Sequence, residues 1–361
     1  MLKKTFEGFV EYIQVLDEFG TVDKSLLPED VTDSMILEMY KSMSKARALD
    51  AKALSLQRQG RIFTYPPLLG EEASQVGSAM AFRRGDIIVP NYRQHAVFML
   101  RGLPLDRWFV SLRGFEDGAA INGAKDTPVS VPIGTHLPHA VGLAYAEKYK
   151  KSGNVVVSYI GDGGTSEGDF YEALNFAGVF KVPLVIIIVN NQWAISVPRR
   201  RQSAAQTLAQ KAFAAGLKGV QVDGNDVVGM YKVVKDALSA AANNEPTVIE
   251  CITYRLSMHT TADDPTKYRT DGEVKEWEAK EPLIRVRRYL TSRNLWDDSK
   301  EKDMQEEFKK EIDEALAKAE AFKPDPKSIF EHIYSFMPEV LKEEQDAAIA
   351  AGFWLDTSSH E

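Results

Sequence analysis

Two short stretches hold the residue types that could do chemistry: "GDGGTSEGDF" at 161–170 and "NNQWAIS" at 190–196. Asp162 sits in a glycine run of the kind that wraps phosphate, where a bare carboxylate would repel its ligand. A divalent cation removes that conflict, because Mg²⁺ takes oxygen ligands, few of them from protein, and lets phosphate oxygens complete its shell. Asn191 can offer a neutral side-chain oxygen, and a backbone carbonyl from the turn after it can add a third ligand. Gly161, Gly163 and Gly164 would let the backbone approach an anion, and a helix beginning near Gly168 would aim its positive end at it. Either stretch alone would also pass for an ordinary tight turn. Together, from Gly161 to Asn191, they span thirty-one residues counting both ends, each closing an apolar run, with one helix between. That pairing is far more specific than either turn. A dinucleotide fingerprint starting at Gly161 would need glycine at 166 and finds Ser166, and a P-loop would need Gly-Lys-Ser/Thr.

The elements that must position these residues are legible from about 132 onward. A helix over 136–150 leads to the strand "NVVVSYI", then the glycine loop, a helix over 169–180 and the strand "VPLVIIIVNN". Later come "GVQVDG", a helix over 226–242 and the strand "TVIECITY". Strands apolar at nearly every residue imply burial on both faces, hence an α/β fold with a mostly parallel sheet between helices. In such sheets ligands bind beyond the carboxyl ends of the strands, where both stretches lie. Upstream, residues 31–59 show helical spacing (Ile36, Met39, Tyr40, Met43) with Thr32 or Asp33 as cap. Prolines at 66, 67 and 90 then make an irregular stretch that carries Tyr92, Arg93 and His95. Residues 296–345 read as charged, helical and largely solvated. The division expected is an extension over 1–30, an α/β domain over 31–295 and a helical C-terminal region over 296–361.

Composition narrows the function classes. Apolar residues make up 44% and charged residues 27%, and the net charge of −8 is spread along the chain, which argues against nucleic acid and anionic membrane as partners. No apolar run reaches the roughly 18 residues of a membrane span. Acidic residues interrupt the N-terminal apolar positions, so no signal-peptide core is read, and the single cysteine, Cys251, suits a buried strand position in a reducing cytoplasm. Arg199 to Arg201 form the one basic run and read as a solvated loop next to the second motif.

The pair "GDG" and "NN" at this separation is similar to the thiamine-diphosphate binding motif. "YIGDGGTSEGDFYEALNFAGVFKVPLVIIIVNNQWAIS" resembles the E1 alpha subunits of the 2-oxo acid dehydrogenase complexes, of pyruvate and branched-chain types. "RQGRIFTYPPLLGEEASQVG", "NYRQH", "GLPLDRWFVSLRG", "LAQKAFAAGLKGVQVDGND" and "YRLSMHTTADDPTKYR" follow in family order. The resemblance implies a thiamine-diphosphate-binding fold, with Mg²⁺ held by Asp162, the Asn191 side chain and the Trp193 carbonyl. Gly161, Gly163 and Gly164 would line the diphosphate, Tyr92 and Arg93 would reach the phosphates, Val131 and Ile133 would present backbone to the aminopyrimidine, and Ala194 would also bind the cofactor. His259 would lie near the thiazolium and diphosphate as the catalytic histidine, positioning the 2-oxo acid and assisting acyl transfer to lipoamide.

In that family the glutamate that activates the aminopyrimidine comes from a beta subunit, which implies an α2β2 heterotetramer docked on a lipoyl-bearing E2 core. Glu71 and Glu72 are the local substitutes, although "GEEASQ" fits a helix start better. Two positions depart from the family pattern: Thr64 stands where many relatives carry phenylalanine, and His136 where glutamine is common. His136 and His139, three apart, could suggest metal, but two ligands do not make a zinc site. "YIQVLDEFGTVDKSLLPE" resembles the extension of pyruvate-type alpha subunits from Gram-positive bacteria, which favours pyruvate over a branched-chain substrate or acetoin. A nicotinamide enzyme and a non-catalytic scaffold are the readings from other classes.

Overall fold

The structure, a computed structural model, describes residues 1–119 and 124–352, so the end of the expected C-terminal region, 353–361, lies outside the described residues. Eight strands occur among the described residues: β1 (Glu11–Ile13), β2 (Ile87–Val89), β3 (Val156–Gly161), β4 (Leu184–Asn190), β5 (Trp193–Ala194), β6 (Val197–Pro198), β7 (Lys218–Asp223) and β8 (Thr247–Ile252). Six of them form one sheet in the order β1-β7-β8-β4-β3-β2, and every pairing in it is parallel. The remaining two, β5 and β6, make a small antiparallel hairpin.

The helices before the glycine loop are α1 (Asp33–Arg58), α2 (Glu72–Ala81), α3 (His95–Leu100), α4 (Leu105–Leu112) and α5 (His136–Lys150). After it come α6 (Gly168–Phe180), α7 (Arg199–Gln202), α8 (Val227–Ala242), α9 (Asp271–Glu278), α10 (Pro282–Ser292), α11 (Asp298–Ala321), α12 (Ser328–Glu331) and α13 (Glu339–Ala350). None of the described helices is long and apolar enough to cross a membrane.

β4 shows why a strand can be apolar throughout. Leu184, Ile186 and Ile188 point to one face and pack with Leu137, Phe170 and Leu174 of α5 and α6, while Val185, Ile187 and Val189 point to the other and pack with Met230 and Val234 of α8. Burying each such side chain contributes about 1.5–3 kcal/mol. Close approach of α2 to α8 depends on Gly77, where a Cβ would lie 2.5 Å from the Val227 carbonyl oxygen and 2.7 Å from the Met230 Cβ. Cys251 is fully buried on this face, as its strand position implied.

α1 starts as its sequence implies, with the Thr32 hydroxyl accepting from the Met35 amide at 3.3 Å. Two features differ from the sequence reading. The region after 296 is less solvated than expected: α11 buries Met304, Phe308, Ile312, Ala315, Leu316 and Ala319 in the same apolar cluster as α1 and α4. Three-to-four-residue spacing puts these on one stripe, which the surrounding charges obscure in the sequence. β1 and β2 are only three residues long, too short for any periodicity to register, and they pair as the two sheet edges. β1 is tied in place by Asp226, whose Oδ2 accepts from the Val15 and Leu16 amides at 2.6 and 2.9 Å while its Oδ1 caps α8 at Val228, 3.0 Å.

Candidate active site

Four strands that neighbour one another in the sheet deliver the site from their carboxyl ends. β2 leads to Tyr92 and Arg93, β3 to Asp162, β4 to Asn191 and the β5–β6 hairpin, and β8 to Arg255 and His259. Parallel register aligns Gly161 with Val189 and Asn190 with Ile252, so the four segments leave the sheet together.

Asp162 opens a 3-10 turn over Gly163–Ser166 and is 2% exposed. Its Oδ2 has no hydrogen-bond partner among the described residues. Burial pushes its carboxyl pKa up to about 7, with Arg255 pulling it down and Glu71 adding to the rise. A buried carboxylate oxygen with nothing to accept from is costly unless a cation or donor meets it. The turn around it is tightly built. A Cβ at Gly163 would fall 2.5 Å from the Ala194 Cβ and one at Gly164 would meet Ile160 at 2.6 Å and Ile133 at 3.0 Å, whereas one at Gly161 would meet nothing within 4 Å. Gly161 therefore borders open space. Lys211 braces the turn from below, its Nζ donating to the Thr165 carbonyl at 2.7 Å and hydroxyl at 3.0 Å.

Asn191 presents its amide in a fixed sense. Nδ2 donates to Glu71 Oε1 at 2.7 Å, and Oδ1 accepts from the Trp193 amide at 3.2 Å. The chain then makes a strained turn, with positive φ at Gln192 (74°) and at the β-branched Ile195 (55°), which is uncommon away from functional sites. Arg255, fully buried, holds that turn: it donates to the Trp193 carbonyl at 3.2 Å, the Ile195 carbonyl at 2.7 Å and the Tyr268 hydroxyl at 2.8 Å.

Arg93 is 4% exposed and its guanidinium donates to the Pro67 carbonyl and, through Nη2, to the His259 carbonyl at 3.0 Å. The same Nη2 lies 3.2 Å from His259 Nδ1, Arg255 Nη1 lies 3.4 Å from it, and the Tyr92 ring stands edge-on to the imidazole at 6.0 Å. Guanidinium groups only donate, so Nδ1 accepts and the proton of the neutral ring is on Nε2. Burial, then Arg93 and Arg255, push the His259 pKa down to about 4. Asp263 anchors the loop by accepting from the His259 amide at 2.8 Å and from the Tyr268 hydroxyl.

The structure thus brings together Tyr92, Arg93, Gly161, Asp162, Gly163, Gly164, Asn191, Trp193, Ala194 and His259. Ile133 reaches Gly164, while Val131 is exposed in the loop before α5. His136 is buried and paired through Nε2 with the Tyr159 carbonyl at 2.7 Å, whereas His139 is exposed, so the two do not face a common ion. Glu71 and Glu72 are both buried and engaged, Glu71 with Asn191 and Glu72 with Arg47 Nε at 2.8 Å and the Gly70 amide at 3.0 Å. Arg200 and Arg201 are exposed, as a solvated run would be. Sequence reasoning missed Arg255 and Lys211. A basic residue just before a loop histidine was the one available signal for the first, and nothing in its surroundings marked the second.

Chemically, Asp162 and the oxygen face of Asn191 form a small, hard, oxygen-only donor set. Gly161 leaves room beside it, and Arg93 and Arg255 supply positive charge. Such a set fits a divalent cation with an anionic ligand attached better than it fits a soft metal.

Known proteins resemble this chain over most of its length. The family model described as "Dehydrogenase E1 component" matches residues 40–327. The pyruvate dehydrogenase E1 component subunit alpha of Staphylococcus aureus is 42% identical over 340 residues, covering 93% of this chain and 92% of that protein. Its counterpart from Staphylococcus epidermidis is 42% identical over 350 residues, covering 96% and 94%. With a family model over most of its length and relatives of this identity aligned nearly end to end, the chain belongs to the dehydrogenase E1 component family, the one its motifs resemble.

Proposed function

We propose that this chain is the alpha half of a thiamine-diphosphate-dependent E1 enzyme that decarboxylates pyruvate and passes the acetyl group to lipoamide on an E2 core in the cytoplasm. The observation that carries the reading is the unpartnered, buried Asp162 oxygen in a glycine turn, under the charge of Arg255 and near the Glu71 that holds Asn191. The aligned relatives, both named as pyruvate-type alpha subunits, support pyruvate over a branched-chain 2-oxo acid or acetoin.

On this reading Asp162, Asn191 Oδ1 and the Trp193 carbonyl would hold Mg²⁺. Gly161, Gly163, Gly164, Ala194, Tyr92 and Arg93 would hold the diphosphate, and Val131 and Ile133 would offer backbone to the aminopyrimidine. Thiamine diphosphate, when bound, supplies the carbon nucleophile and the electron sink that 2-oxo acid decarboxylation needs. The protein's own residues bind, neutralise and orient. Arg93 and Arg255 place positive charge beside His259 and, adding to the effect of its burial, keep the ring neutral with its proton on Nε2. That N–H can donate to a substrate oxygen and stabilise negative charge growing there. Glu71 and Glu72 are committed to internal partners, which supports what the family resemblance implies: a carboxylate from a beta subunit would serve the cofactor's ring, in an α2β2 heterotetramer.

The test is reconstitution. The full chain alone should turn over poorly, and addition of a beta subunit with thiamine diphosphate and Mg²⁺ should restore decarboxylation, with pyruvate preferred over 2-oxoisovalerate and acetoin. Full activity of the isolated chain would remove the half-site claim, and preference for another member of the panel would remove the substrate assignment.

A further inference from the structure

We propose that Glu71 is a positioning residue that fixes the Asn191 amide so that its oxygen, and not its NH₂ group, faces the metal position. The inference rests on the reading of Asn191 as a metal ligand.

Glu71 is the N-cap residue of α2, yet its side chain makes no capping bond. It turns inward instead and is 1% exposed. Oε1 accepts from Asn191 Nδ2 at 2.7 Å and lies 3.7 Å from Arg93 Nε. A carboxylate in this position accepts, so the atom facing it must be the amide nitrogen. On the other side the Trp193 amide, 3.2 Å away, only donates, so the atom facing it must be the amide oxygen. Both neighbours therefore demand the same one of two orientations. An asparagine without them is nearly symmetric in shape and would be free to turn a donor toward a cation.

A parallel arrangement serves the preceding residue. Asn190 Nδ2 donates to the buried Glu250 at 2.7 Å, and the other carboxylate oxygen of Glu250 accepts from the Leu208 and Ala209 amides at 2.7 and 2.9 Å. Each asparagine of the pair thus has its own buried glutamate. Glu71 differs in one respect: it also lies 3.7 Å from Arg93, the residue that holds His259, so one carboxylate links the Asn191 side of the site to the histidine side.

Residues behind a metal ligand commonly change metal affinity by about 10–100-fold when removed. Binding of Mn²⁺, followed by its electron paramagnetic resonance signal in the presence of thiamine diphosphate, would be measured on the full chain assembled with its beta subunit. Glu71→Leu should weaken Mn²⁺ by about 10–100-fold, while Glu71→Gln, whose amide oxygen can still accept from Asn191, should stay within about threefold of the parent. Should Glu71→Leu fail to fold, Asn191→Asp gives the same information. Facing Glu71 it sets two acceptors against each other and should weaken Mn²⁺, and adding Glu71→Gln, which can donate, should restore about tenfold or more. Affinity within twofold of the parent in Glu71→Leu, or strictly additive effects at 71 and 191, would overturn the positioning role. Asp162→Ala separates the two levels: loss of Mn²⁺ binding there with no effect at 71 leaves the metal site standing, and no effect at 162 removes the site itself.

Discussion

Arg93 Nη2 stands 3.2 Å from His259 Nδ1 and 3.0 Å from the carbonyl oxygen of the same residue, so one guanidinium nitrogen fixes both the ring and the backbone of the loop histidine. Burial first, then the charges of Arg93 and Arg255, make this a histidine that resists protonation. Its pKa falls from 6.5 to about 4, and between those values the unfolded chain binds the extra proton while the folded one does not. Stability should accordingly rise with pH across that window as far as His259 contributes. Imidazole ¹⁵N shifts should show Nδ1 unprotonated at pH 7 and the ring still neutral at pH 5. In Arg93→Ala the titration should move up toward 6.5. A His259 midpoint near 6.5 in the parent would contradict the assignment.

Asp162 should separate function from stability. Asp162→Asn removes a buried negative charge that lacks a partner for one oxygen, so the metal-free chain at pH 8 should be more stable, by about 1–2 kcal/mol in urea unfolding. Mg²⁺ affinity should fall by more than about tenfold. A variant that loses stability and keeps Mg²⁺ would show that Asp162 is structural.

Gly161 and Gly163 should behave differently under the same substitution. A Cβ at 161 meets nothing in the protein, so Gly161→Ala should change unfolding free energy by no more than about 0.5 kcal/mol yet weaken thiamine diphosphate tenfold or more, because the methyl takes the ligand's space. Gly163→Ala meets the Ala194 Cβ at 2.5 Å and should cost about 1–3 kcal/mol of stability even without cofactor. Calorimetric titration and thermal melts of the two variants measure both effects.

Lys211 is a nearly buried ammonium with two oxygen acceptors on Thr165 and the rings of Phe170 and Tyr171 at 5.7 and 5.2 Å. Replacing it with methionine should cost about 1.5–3 kcal/mol, the range for bonds to a charged group. Amide hydrogen exchange should speed up at 163–166 before it does in β3 or β4. Uniform loss of protection across the sheet would argue against a local brace.

Asp226 joins the N-terminal segment to the sheet domain by accepting from two of its backbone amides, Val15 and Leu16, while also capping α8 at Val228. Asp226→Ala should destabilise by about 2–3 kcal/mol, more than loss of a helix cap alone. Protection of the Val15 and Leu16 amides should be lost first. An unchanged exchange pattern at β1 would mean that its pairing with β7 suffices.

Much of this protein was legible in its chain. Strands such as β4, apolar at every position, required a parallel sheet with both faces covered. Asp162 in a glycine run and Asn191 at the end of the next strand, at a fixed separation, pointed to one shared site beyond the carboxyl ends of β3 and β4. Those conclusions hold because periodicity and residue chemistry are local properties. The tertiary structure decided what depends on contacts between distant segments. Glu71, set aside as a helix start, and Arg255, unremarked after its strand, become the groups that orient Asn191 and the β5–β6 turn only when the carboxyl ends of β2, β3, β4 and β8 meet. α11, whose charges suggest solvent, gains a buried stripe only because α1 and α4 lie beside it. Glu71 and Arg93, which help set which side of the Asn191 amide faces a ligand and which nitrogen of His259 keeps its proton, lie 120 and 166 residues from them along the chain, and spacing along a sequence carries no record of such neighbours.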